Sequence, residues 1–200
     1  MGMRRIGFAL AAVLAALVVV TGGVLWWSAE HETPLTRHLP AELKPRVFPS
    51  VDTAGLAPER VRIIDSLRTE FEANRPGTYY SEGVEEPWCA DFVSTVLREA
   101  GVPVHNPNSG TWRIPGVFTL TEYFQKQGRL QPAATYRPQP GDVVLYLPEH
   151  PALRQHTNVV LKVVGDEVTT IGGNQEGGIS ALTYRVSETF GLAGYGVPVG

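Results

Sequence analysis

The apolar period of this chain changes once, near Pro140, and that change leaves few architectures open. Before it, apolar residues recur every three or four positions; after it, they alternate or run together. Residues 57–73 carry Val61, Ile64, Leu67 and Phe71 on one stripe, which predicts a helix ended by Arg75-Pro76-Gly77. A second helix is predicted from Pro87, because proline suits the first helical position, where its missing N–H has no partner anyway. Cys89, Phe92, Val93, Val96, Leu97 and Ala100 share its buried face, and Gly101 caps it. A shorter helix is expected from Thr119 to about Gly128, with Thr119 and Glu122 at capping-box spacing and Leu120, Tyr123 and Phe124 inside.

Beyond the Pro140-Gly141 turn the pattern is that of strands, at 142–147, 157–164, 167–171 and 179–186, with 194–198 as a fifth. Gly165-Asp166 joins the second and third as a hairpin. Helices followed by an antiparallel meander predict an α+β fold with the helices packed on a sheet.

Upstream of this domain, residues 6–27 carry no charge, a length that spans a bilayer core of roughly 30 Å as a helix. Arg4 and Arg5 precede the run, while Glu30 and Glu32 follow it. The positive-inside rule then keeps residues 1–5 in the cytoplasm and places everything after a 6–27 transmembrane anchor outside. A cleaved signal peptide is the other reading, but its apolar region is shorter, about 7–15 residues, and Trp27-Ser28-Ala29 makes a poor cleavage site. Residues 28–55, with Pro34, Pro40, Pro45 and Pro49, read as a semi-extended tether, and 56–200 as one domain. A net charge of −3 with 18% charged residues offers no basic footprint for nucleic acid.

Cys89 is the only cysteine among the 200 residues, so an exported chain of this sequence has no internal disulfide. The residue is an intermolecular link, a small buried apolar group or a reactive thiol. At the start of a helix the dipole favours the thiolate, the nucleophilic form. A cysteine nucleophile needs a base and a group to orient that base. Of the five histidines, His31 and His38 fall in the tether, and His105 and His150 in loops. His156 directly precedes a strand, which would hold it rigidly opposite a helix N-terminus; the plainer alternative is a surface histidine at a strand edge. Counting back across the hairpin places 171–174 opposite 158–156, and Asn174 then accepts a bond from the His156 ring N–H. Asparagine in a glycine-rich turn is its other reading.

Together, Pro87-Trp88-Cys89-Ala90-Asp91-Phe92-Val93-Ser94, Pro140-Gly141-Asp142-Val143-Val144, His156 at a strand start and Gly172-Gly173-Asn174-Gln175 resemble a CHAP domain over roughly 75–198. These are cysteine, histidine-dependent amidohydrolases/peptidases with a papain-like fold. The resemblance implies hydrolysis of amide bonds in bacterial peptidoglycan, of the N-acetylmuramoyl-L-alanine amidase or endopeptidase type. Cys89 would be the nucleophile, His156 the base and Asn174 the orienting residue. The sequence departs from the pattern at Thr157-Asn158, where many members have a small pair such as Val-Gly, and at Gly172, where many carry a glutamate. The oxyanion hole would use the Cys89 N–H and a side chain from the preceding loop, with Tyr80 as the candidate and Tyr79 beside it. Trp88 and Trp112 would line the substrate groove or belong to the core. One cysteine and no His-x-x-x-His or His-Glu-x-x-His spacing argue against a metal, and without a phosphate-binding glycine loop no cofactor is called for. The alternative function is a catalytically weak or inactive module that binds cell wall or docks a partner in an envelope complex.

Overall fold

The computed structural model describes residues 47–175 and 178–199. The predicted anchor at 6–27 and the tether as far as residue 46 lie outside them, and among the described residues no helix is long and apolar enough to cross a membrane. Helix α1 (Pro58–Ala73) begins on a proline and stops at Asn74, whose left-handed backbone (φ 42°) lets its N–H reach Glu70 O at 2.9 Å. It buries Ile63, Ile64, Leu67 and Phe71. A single turn, α2 (Gly77–Tyr80), follows in a stretch the apolar pattern does not mark.

Helix α3 (Cys89–Glu99) starts two residues later than expected: Trp88 is the cap and Cys89 the first helical residue. Cys89 through Leu97 are all buried, so this helix has no wet face in its first two turns. The reason is its place, packed against α1 and against strands β3 and β4. Helix α4 (Val117–Lys126) begins ahead of the expected Thr119, with Gly116 at its cap and no side-chain cap bond; the Thr119–Glu122 capping box is not used. Its buried residues do include Leu120, Tyr123 and Phe124.

The strands are β1 (Leu130–Gln131), β2 (Val143–Tyr146), β3 (His156–Val164), β4 (Glu167–Gln175), β5 (Gly178–Arg185) and β6 (Leu192–Gly196). They form one antiparallel sheet in the order β1-β6-β2-β3-β4-β5, so the β3–β4 hairpin is central, as expected of an α+β fold. Alternation divides the sheet into two faces. Gly173 approaches Trp88 and Phe92, and Gly196 approaches Phe124, so the face shared by Val143, Leu145, Val159, Ile171 and Gly173 is the helix-covered one. Val144, Tyr146, Val160, Val168, Leu192 and Tyr195 cluster on the other. The Pro140-Gly141 turn is pinned from below: Arg60 Nη1 on α1 donates to Pro140 O at 2.6 Å and to the buried carboxylate of Asp142 at 2.9 Å. Tyr136 Oη and the Gln139 N–H donate to the second oxygen of Asp142, so that buried carboxylate is fully partnered.

Candidate active site

Cys89 opens α3 with only 4% of its surface exposed. The backbone amides of Thr157, Ala90 and Cys89 itself lie near its sulfur and favour the thiolate. Thr157 immediately follows His156, so the helix start and the start of β3 meet here. Burial pushes the thiol above its ordinary value and outweighs the three amides, which favour the thiolate; the nearby charge of Asp91 pushes it further up. Burial therefore opposes the thiolate that a helix start favours.

His156 is 6% exposed, and burial pushes its imidazole down to about 4, against a hydrogen bond with Asn158 that works the other way. Both shifts favour the neutral form near pH 7, for the thiol and for the imidazole. The other described histidines do different work. His105 is exposed. His150 accepts the Leu153 N–H on Nδ1 at 3.1 Å and so caps its own loop. Tyr146 lies between the two remaining rings, 4.9 Å from that of His150 and 6.2 Å from that of His156. A cavity of about 580 Å³ opens on its far side, lined by His150, Leu153, Leu182, Tyr184 and Phe190.

The ring bond expected of Asn174 is made by Gln175. Gln175 Nε2 lies 2.8 Å from His156 Nε2, whereas Asn174 is exposed. Alternation along β4 puts Thr170 and Gly172 on the His156 face and would put Asn174 there too. Asn174 instead adopts a left-handed backbone (φ 59°), and the β4–β5 register shifts between Gly172 and Gln175. The irregularity turns Asn174 out and Gln175 in, a β-bulge re-aiming a side chain. An asparagine is among the few residues that tolerate this backbone, which was the one local signal for it.

Gln175 belongs to a buried amide network. Its Nε2 donates to Asn158 Oδ1 at 2.6 Å, Ser180 Oγ donates to its Oε1 at 2.9 Å, and Asn158 Nδ2 donates to Thr170 Oγ1 at 3.0 Å. A methyl group at Gly172 would come within 1.8 Å of Asn158 Oδ1 and 2.5 Å of Gln175 Nε2, so glycine there makes room for the two amides.

Tyr80, the oxyanion candidate, is 1% exposed and gives its hydroxyl hydrogen to Glu70 Oε2 at 2.7 Å. Its ring stacks on Trp88, with centroids 5.1 Å apart and planes 8° from parallel. Tyr79 is half exposed, with the Arg75 guanidinium 4.7 Å over its ring. Trp88 is half buried, wedged where a side chain at Gly77 or Gly173 would strike its indole. Trp112 lies under the Arg98 guanidinium at 3.7 Å, and Arg98 is in the last turn of α3, at the opposite end from Cys89. The sequence reading missed Asp91 and Arg113. Asp91 is fully buried two residues after Cys89, and Arg113 bonds it at 2.7 Å and Glu86 at 2.9 Å, clamping the loops on both sides of the helix start. Burial raises the Asp91 carboxyl to about 6, with Arg113 pulling against it. Among the described residues no group of three acidic, histidine or cysteine side chains is arranged to hold a metal.

Residues 79–174 match the family model described as the CHAP domain. No curated protein matches the chain. A solved structure titled "The crystal structure of Ly7917" is similar at 17% identity and a TM-score of 0.45, over 70% of this chain and 62% of that one.

Proposed function

The chain belongs to the CHAP family over residues 79–174, and we propose on that basis that it is a cysteine amidohydrolase acting on an amide bond of bacterial peptidoglycan. The observation that carries the residue assignment is the meeting of Cys89, at a helix start, with the first residues of β3: the Thr157 amide lies near the sulfur and His156 precedes it in the strand. Nε2 of His156 is committed to Gln175, which leaves Nδ1 to serve the thiol.

In this reading the sulfur attacks the scissile carbonyl carbon as its proton passes to Nδ1 of His156. The developing oxyanion is met by backbone N–H groups at the helix start. His156 returns the proton to the departing amine as the C–N bond breaks, leaving a thioester on Cys89. Water, deprotonated by the same ring, then breaks the C–S bond and restores the thiol. A pair that rests neutral suits this sequence, because the proton moves only as the carbon–sulfur bond forms.

The test is digestion of purified peptidoglycan by the full chain, with the released fragments identified by mass spectrometry. Cys89→Ser is expected to abolish release while leaving thermal stability close to wild type, since a serine hydroxyl is not ionised near neutral pH. Retained turnover in that variant would rule out the nucleophile. A freed lactyl carboxylate on muramic acid would identify an amidase, and a new amino terminus within the stem or crosslink an endopeptidase. The high thiol and low imidazole also favour a second reading, a module that binds cell wall and cleaves slowly. Under it, the wild-type chain sediments with peptidoglycan and releases nothing.

The uncharged run at 6–27 behind Arg4 and Arg5 supports an extracytoplasmic domain on a retained anchor. Protease added to spheroplasts should then digest the domain, and the mature chain should still begin at Met1 or Gly2. Secreted protein beginning near Ser28 would instead indicate a cleaved signal.

A further inference from the structure

His156 is held by an amide, and an amide has two faces. As the side chains lie, Gln175 Nε2 has two hydrogens and two acceptors facing it, His156 Nε2 at 2.8 Å and Asn158 Oδ1 at 2.6 Å. The ring nitrogen must then be the acceptor, which places the imidazole proton on Nδ1. A ring with its proton on Nδ1 has no lone pair there to take one from a thiol. Once protonated on both nitrogens, the ring would meet the Gln175 N–H with an N–H of its own.

Turning the two amides relieves this opposition. Turning the Gln175 amide over presents Oε1 to His156 and Asn158, and sends Nε2 towards Ser180 Oγ, which sits 2.9 Å from the present oxygen. Turning Asn158 over then lets its Nδ2 donate to Gln175 Oε1. Its oxygen in turn accepts the hydroxyl hydrogen of Thr170, 3.0 Å away, which otherwise goes to Leu182 O at 3.3 Å. Each of these contacts stays a donor–acceptor pair in both arrangements, because Ser180 and Thr170 carry hydroxyls that can give or accept, as does Tyr146, which also meets Asn158 and Thr170. Side chains that could do only one would not permit this. Asn158, Thr170 and Gln175 are all buried, so no solvent stands by to replace a lost bond.

We propose that Gln175 is the positioning residue for His156, and that the polarity of the Gln175–Asn158 amide pair sets the ring's tautomer: as the side chains lie the ring proton is on Nδ1, and with both amides turned the Nε2–H tautomer is held, leaving the Nδ1 lone pair to take the thiol proton. The proposal rests on His156 being the base. No carboxylate is involved: the acceptor offered to the ring Nε2–H is a neutral amide oxygen, and Gly172 leaves the space in which the amides turn.

Because Cys89 is the sole cysteine, iodoacetamide alkylation of the full chain followed by mass spectrometry reads this one thiol across a pH series, without peptidoglycan. Gln175→Leu removes the acceptor and should slow alkylation at pH 7 by ~tenfold or more. Gln175→Glu offers acceptors only and should be rapid, its pH profile moved about one unit or more to the acid side by the added negative charge. Asn174→Ala should follow wild type. Wild-type rates in Gln175→Leu, a Gln175→Glu variant as slow as the leucine one, or a loss in Asn174→Ala equal to that in Gln175→Leu would each overturn the proposal. If near-UV circular dichroism shows the leucine variant misfolded, the glutamate profile decides: a shift to lower pH supports the proposal and an unshifted profile overturns it. His156→Ala separates the two levels. If it is alkylated like wild type, the base assignment itself has failed. If it is slow while Gln175→Leu is not, only the role of Gln175 has failed.

Discussion

Tyr80 illustrates how a side chain of suitable chemistry and location can be spoken for. It lies just before α3, the helix that Cys89 opens, and carries a hydroxyl, which is why it stood as the oxyanion donor. In the fold that hydroxyl satisfies Glu70, itself 4% exposed and also bonded by Arg75. The ring meanwhile stacks on Trp88 and meets Phe92 edge-on. Burial and the neighbouring Glu70 both push the phenol upward, so it stays a donor throughout the working pH range. Two consequences separate the roles. If Tyr80 holds Glu70, Tyr80→Phe should keep peptidoglycan turnover within about threefold while lowering stability by ~1–3 kcal/mol, the cost of leaving a buried carboxylate oxygen short of a partner. Chemical denaturation and fragment release, measured on the same preparation, check both. A loss of turnover near a hundredfold with unchanged stability would return the hydroxyl to the oxyanion hole, since removing one such donor costs about that much.

At the scale of elements, the site depends on how closely α3 can approach the β3–β4 hairpin. Gly173 controls that distance: a methyl group there would sit 2.3 Å from Trp88 Cζ3 and 2.8 Å from Phe92 Cβ. Its backbone is not left-handed, so alanine is excluded by packing and not by conformation. Gly173→Ala is therefore expected to destabilise the domain by ~1–3 kcal/mol through overpacking. It should also slow Cys89 alkylation, because Cys89 is carried away from β3 along with Trp88. Unaltered melting and alkylation would mean that the indole has room to move. The hairpin and the approximate span of α3 were legible in the sequence because both rest on long periodic runs around a Gly-Asp turn and a terminal glycine. The short α2 and the two-residue β1 carry no such run. The start of α3 was misplaced because Pro87 suits the first helical position, yet the chain places it ahead of the Trp88 cap. The candidate site was legible as far as Cys89 and His156, whose positions at element starts follow from the pattern. It failed at Asn174, since counting along a strand assumes unbroken alternation and one left-handed residue breaks it. The two departures from the family pattern, Asn158 and Gly172, looked unrelated in sequence. They lie on facing positions of β3 and β4, and the side chain of one fills the space vacated at the other.

For the whole molecule, the buried titratable groups make acid stability a readout of the site. His156 is held near 4 by burial, below its ordinary 6.5, so between these values the unfolded chain binds a proton that the folded chain does not. Stability from this residue is fully present above about pH 6.5 and is lost as pH falls towards 4. A pKa unit corresponds to about 1.4 kcal/mol, so His156 contributes roughly 3 kcal/mol to the slope across that window. Asp91 acts with the opposite sign. Raised to about 6 by burial, it binds its proton more tightly folded than unfolded, and so gains stability as pH falls through the same range. Asp142, also raised by burial, adds to that opposing trend. The wild-type curve of stability against pH should therefore be flatter than either contribution, and it cannot by itself reveal the histidine. The comparison that isolates it is with His156→Gln, which keeps a polar side chain facing Gln175 but does not titrate. Urea unfolding of both proteins at intervals from pH 7 to pH 4 should show the stability of wild type falling relative to the variant by ~3 kcal/mol, nearly all of it below pH 6.5. In absolute terms His156→Gln should gain stability on acidification, as the carboxyl contributions of Asp91 and Asp142 are unmasked. A constant difference between the two proteins across this range would mean that the His156 ring takes up its proton as easily folded as unfolded, and the neutral resting imidazole would have to be given up with it.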